Sequence, residues 1–110
     1  MKFQLKKLKT LCLCLPLTVL IGCSSGDSET LKLGEEVVSG TCIVCHAAGI
    51  NGAPIIGNSN MWGPRVGQGI PALVEHASNG YGLMPAKGGN TDLTEEQITA
   101  AVTYMLSQLD

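Results

Sequence analysis

Hydrophobic patterning divides the 110-residue chain into an apolar start, two amphipathic stretches and a glycine-rich middle. At the start, Lys2, Lys6, Lys7 and Lys9 precede an apolar run from Leu11 to Ile21 that closes on Leu20-Ile21-Gly22-Cys23. From Leu31 to Cys45, apolar positions fall at helical spacing through Leu33, Val37, Val38 and Thr41. At the other end Ala101, Val102, Met105 and Leu109 stand 3, 4, 7 and 11 residues beyond Ile98, the stripe of a helix over roughly residues 94–109. The beginning of that helix is doubly marked. Thr94 and Gln97 have capping-box spacing, and Leu93 and Ile98 stand at the two positions of a hydrophobic staple. Glu95 and Glu96 suit the positive end of the helix dipole.

The middle offers two shorter helical candidates. Ser59 to Val66 is interrupted by Gly63 and Pro64, whereas Pro71 to Asn79 has proline near its first turn and Gly80 just past its end. Gly34 is out of place in the first helix, where glycine costs about 1 kcal/mol relative to alanine. It predicts a close backbone approach there, with Tyr104 or Ala101 of the last helix as the partner. The expectation is a small all-α domain of about four helices.

The basic start and apolar run read as an export signal, since a permanent membrane span needs about 20 apolar residues. Its closing tetrapeptide resembles a bacterial lipobox, which implies cleavage before Cys23 and acylation of that cysteine. The expected organisation is a signal peptide over residues 1–22, a lipidated flexible tether over 23–30, and a folded domain over 31–110. Ser24 to Thr30 is small, polar and acidic without an apolar period, and seven extended residues reach about 25 Å. The protein would then be exported and anchored to a membrane, its domain facing the periplasm or the cell exterior.

Removing the signal changes the charge. Four of the seven basic residues leave with it, so Lys32, Arg65 and Lys87 face nine acids and the mature chain carries −6. Nucleic-acid binding is not expected of such a surface. The 88 residues that remain are few for a self-sufficient core, and a bound apolar group would make up the deficit.

Cys42-Ile43-Val44-Cys45-His46 supplies the chemistry. Two thiols three residues apart on one helical turn can each add to a haem vinyl group, and the adjoining imidazole then falls beneath the iron. A closed zinc site wants four ligands, and outside this run the exported part offers only Cys23 and His76. A thioredoxin-like dithiol wants a strand–helix context that is absent. The cysteines then close without remainder: Cys12 and Cys14 leave with the signal, Cys23 takes lipid, and Cys42 and Cys45 take one haem c.

His46 fills one axial position, and the candidates for the other are Met84, His76 and Met61. Met84 stands in Gly82-Leu83-Met84-Pro85-Ala86-Lys87-Gly88-Gly89, where proline stiffens the loop and glycines allow tight bends. His76 reads as a solvated helix residue and Met61, beside Trp62, as core or haem-wall packing. Met84 is the expected ligand.

Taken together, Gly34 and Val38 ahead of the haem motif, Gly52-Ala53-Pro54, Trp62-Gly63-Pro64-Arg65, the Met84 loop and Ala101-Val102-Thr103-Tyr104-Met105 resemble the class I cytochromes c, most closely the cytochrome c5 group. The resemblance covers about Leu31 to Ser107. It implies helices wrapped around one covalent haem, crossed N- and C-terminal helices, His46 and Met84 as axial ligands, a Pro54 carbonyl that accepts the second imidazole N–H, and Trp62 lining the pocket. Members of the group often carry a cysteine pair where this chain has Asn90 and Leu93. The staple from Leu93 to Ile98 would anchor the loop's exit instead.

The implied function is one-electron transfer between membrane-associated redox proteins outside the cytoplasm, with no catalytic residues and no enzymatic activity. Partners would be a reductase or an oxidase docking at a haem edge rimmed by Ala47, Ala48, Ile50 and the Met84 loop, and a monomer is favoured. The rivals are a gas sensor or peroxide-reactive enzyme in which Met84 dissociates, and a fixed subunit of a larger oxidase or reductase.

Overall fold

The computed structural model describes residues 25–110. The expected signal peptide over residues 1–22 and the expected lipid-bearing Cys23 lie outside the described residues. Within them the fold is helical, with no strand: α1 (Ser25–Val37), a π-helical stretch (Val38–Cys42) and α2 (Ile43–His46) run on without a break, followed by α3 (Ser59–Val66), α4 (Ile70–Asn79) and α5 (Glu95–Ser107). Short 3-10 turns occupy Ile50–Gly52 and Ala86–Gly89. No helix among the described residues is long and apolar enough to cross a membrane.

α1 begins earlier than its apolar period announces. Residues 25–30, expected as part of the tether, are helical, with Asp27 in the first turn where the dipole favours an acid. Gly26, Glu29 and Thr30 border a groove whose other side is Glu95, Glu96, Thr99 and Ala100 of α5. The neighbouring helix gives these polar residues a surface that local periodicity could not reveal.

α5 starts as its sequence dictates. The Gln97 amide donates to the Thr94 hydroxyl at 3.2 Å, and the Thr94 amide donates to the Gln97 side-chain carbonyl at 2.9 Å, completing the capping box. Leu93 and Ile98 are both buried and join one core cluster with Val37, Val38, Trp62, Leu73, Val74, Ala101, Val102 and Met105. α3 keeps its helical course despite Pro64. Asn58 caps it by accepting from the Met61 amide at 3.1 Å, and the buried Trp62 pins it to the core.

α1 and α5 meet at Gly34. A Cβ there would fall on the Ala100 carbonyl oxygen and within 2.6 Å of Tyr104 Cβ, both of α5. Tyr104 is thus the expected partner, while Ala100 rather than Ala101 supplies the backbone surface; Ala101 is turned into the core. Gly34→Ala must force the two helices apart, and overpacking of this kind costs about 1–3 kcal/mol. Urea unfolding of the Gly34→Ala protein should show a lower midpoint by that margin, and an unchanged midpoint would refute the close crossing.

Candidate haem site

The helices enclose a cavity of about 570 Å³, within the range of cofactor sites. Eight of the ten core-cluster residues line it, all but Val38 and Val74, so the cavity occupies the middle of the core. Cys42, Cys45, His46, Pro54, Trp62 and Met84 all stand on its wall, brought from three separate parts of the chain.

The π-helical stretch sets the first of these parts. Its backbone closes with the Ile43 amide on the Val38 carbonyl, one residue wider than an α-turn. This widening lets the consecutive Val37 and Val38 both be buried while Cys42, Cys45 and His46 still reach the cavity. Both thiols are free and partly covered. Burial pushes the Cys42 thiol up from its ordinary range, against a smaller lowering by a backbone hydrogen bond.

His46 is held by the loop that follows it. The residue is only 7% exposed, and Nδ1 lies 2.8 Å from the Pro54 carbonyl. A carbonyl can only accept, so Nδ1 carries a proton, which in the neutral imidazole leaves the lone pair on Nε2. The same loop returns two more bonds: the Ile56 amide donates to the His46 carbonyl at 3.0 Å, and Trp62 Nε1 donates to the Ile55 carbonyl at 2.9 Å. Trp62 also stacks near the imidazole, with centroids 6.1 Å apart and planes 21° apart. It therefore braces the loop that orients His46 as well as lining the wall.

Met84 closes the four-residue turn 81–84. The Tyr81 amide donates to the Met84 carbonyl at 3.0 Å, and the Met84 amide donates back to the Tyr81 carbonyl at 2.9 Å. Gly80, at φ 86°, lies so close that an added Cβ would sit 3.0 Å from both the Met84 carbonyl oxygen and the Ala86 nitrogen. The backbone bearing the thioether is fixed on both sides. His76 lines the cavity too, but its ring stacks on Tyr81 at 4.1 Å and 21°, an aromatic contact that a solvated helix position does not announce. Met61 does not line the cavity.

The donor set fits a covalent haem. Two thiols and an imidazole nitrogen come from the continuous turn where the π-helical stretch passes into α2, a thioether comes from a loop, and the remaining wall is chiefly apolar. Sequence reasoning missed Arg65 and Gln68, which are among the few polar side chains on that wall. Arg65 is steadied by its guanidinium donating to the Met61 carbonyl one turn back. The expected rim is partly redrawn. Ile50 lines the cavity, but Ala47 and Ala48, though exposed, do not; Val44, Tyr81 and Leu83 do, at 67%, 64% and 73% exposure.

Comparison with known proteins agrees with this geometry. Residues 29–105 match the family model described as cytochrome C oxidase, cbb3-type, subunit III. The chain is 43% identical over 79 residues to cytochrome c-555 of Chlorobaculum tepidum, covering 68% of this chain and 73% of that one. It is 32% identical over 76 residues to cytochrome c5 of Azotobacter vinelandii, covering 67% and 92%. A solved electron-transfer complex of nitrite reductase with cytochrome c contains a chain similar to this one, at TM-score 0.66 and 39% identity, covering 69% of this chain and 93% of that chain. The chain therefore belongs to the class I c-type cytochromes, small carriers of single electrons on one covalently bound haem c rather than enzymes.

Proposed function

We propose that this cytochrome is lipid-anchored through Cys23 and passes electrons between redox proteins at a membrane surface outside the cytoplasm. Thioethers at Cys42 and Cys45 hold the haem, and His46 and Met84 are its axial ligands. The observation that carries this reading is the convergence of all four side chains on one apolar cavity, with Pro54 orienting the imidazole. When bound, the haem supplies a one-electron couple whose potential Met/His ligation and an apolar pocket raise. The chain's own part is to keep His46 in the tautomer that leaves Nε2 free, to present the Met84 thioether, and to exclude water with the core residues around them. Arg65 and Gln68 are the polar groups suited to the haem carboxylates.

The rim indicates how partners dock. Among the described residues no carboxylate lines the cavity, and Val44, Ile50, Tyr81 and Leu83 give its margin a largely apolar character interrupted by Asn51 and Gln68. The acids lie elsewhere, with Glu29, Glu95 and Glu96 at the groove between α1 and α5. A largely apolar lining without carboxylates suits close approach of a partner's redox centre at a small desolvation cost. The nitrite reductase complex of the similar cytochrome supports a protein partner of this kind.

Three outcomes test the proposal. The ferric protein should show the weak long-wavelength absorption of a methionine–iron bond, and Met84→Ala should abolish it; a haem c spectrum lacking that band in the parent protein would return the gas-sensor or peroxide-reactive alternative. Leu83→Glu should slow oxidation of the reduced protein by solubilised source membranes roughly tenfold, while Glu96→Gln leaves the rate unchanged; equal rates for all three proteins would place the docking face elsewhere. In detergent phase separation the parent protein should follow the detergent and Cys23→Ser the water, and parent protein found in the aqueous phase would exclude the anchor.

A further inference from the structure

The loop leaving Met84 contains a residue in an unfavourable place. Lys87 has φ 56° and ψ 25°, in the left-handed region, followed by Gly88 at 62° and 19°. Glycine adopts this conformation without steric cost and lysine does not. The backbone shape alone would be better served by glycine, so a lysine is justified there only by its side chain. That side chain is half-buried on the cavity wall. Its ammonium donates to the Leu93 carbonyl at 2.7 Å and the Thr91 carbonyl at 3.3 Å.

From these contacts we infer that Lys87 is a positioning residue for Met84, clamping the ligand loop to the entrance of α5. The inference rests on Met84 as the axial ligand. Leu93 is itself buried and immediately precedes the Thr94 cap, so the ammonium binds to a fixed point. A second tie leads to the other side of the site. Asn90 Nδ2 donates to Thr41 Oγ1 at 3.3 Å, next to Cys42, and a Cβ on Gly88 would sit 3.2 Å from Thr41 Cγ2. Asn90 also accepts from the Asp92 amide at 3.2 Å. The clamp spans the segment that holds Asn90 and Leu93, so polar bonds do there what a covalent cross-link would do. An ammonium has three donors and no acceptor, so it can gather several carbonyls that an apolar side chain would leave unpaired.

Imidazole titration of the ferric holoprotein measures how readily Met84 yields its place. Lys87→Met removes the donors but keeps the strained backbone, and Lys87→Gly removes both. Each should bind imidazole roughly tenfold more tightly than the parent, with thermal unfolding of the helices unchanged, and Lys87→Arg should restore most of the resistance. Affinities within twofold of the parent, or a lowered unfolding midpoint with unchanged imidazole affinity, would overturn the clamp. If the Lys87 variants fail to fold, Asn90→Ala carries the same test: tighter imidazole binding supports the tie and unchanged binding overturns it. Met84→Ala is the separate control. Imidazole affinity unchanged in that variant would overturn Met84 as ligand, and the clamp's role with it.

Discussion

A core built around one shared cofactor cavity is the constraint on which the rest of this structure depends. Most of the residues that a protein of this size would pack against one another instead face a shared space of about 570 Å³. Eight of the ten core-cluster residues line that cavity, so haem c is at once the redox centre and a part of the core.

His46 and Met84, the proposed axial ligands, are held at the cavity by different means. On the His46 side the chain uses a rigid local bracket, in which Pro54, Ile55 and Ile56 each contribute one backbone hydrogen bond to the imidazole, the indole or the helix end. On the Met84 side the support is a doubly bonded turn, with an added tie from Lys87 to the start of α5. The two brackets meet through Thr41 and Asn90. Holding both donors without rearrangement suits a carrier, because a site that moves little between oxidation states transfers electrons readily.

Charge is distributed with the same separation of roles. The polypeptide carries more acids than bases, but among the described residues no acid lines the cavity, whose exposed lining includes Val44, Ile50, Tyr81 and Leu83. Solubility is thereby supplied by surfaces away from the site, and the site is left free to approach another protein. The crossing of α1 on α5 at Gly34 lies outside the cavity lining and gives the two termini of the domain a common support.

The sequence alone determined whatever depends on neighbours a few residues apart. The spacing of Cys42, Cys45 and His46, the reciprocal cap of Thr94 and Gln97, and the apolar stripe of α5 are local, and each is seen in the fold as its spacing implies. Gly34 was legible for another reason: a missing side chain in a helix has few explanations beyond close packing. Tertiary structure decided what depends on distant partners. The helical state of residues 25–30 is accompanied by the groove shared with α5, and the π-helical turn depends on burying Val37 and Val38 together beside the cavity. Lys87, Asn90 and His76 look like ordinary surface residues in the chain, because a polar side chain's partner is set by which loop folds back against it. Local periodicity records which face of a helix is buried; it holds no record of which carbonyl an ammonium will find.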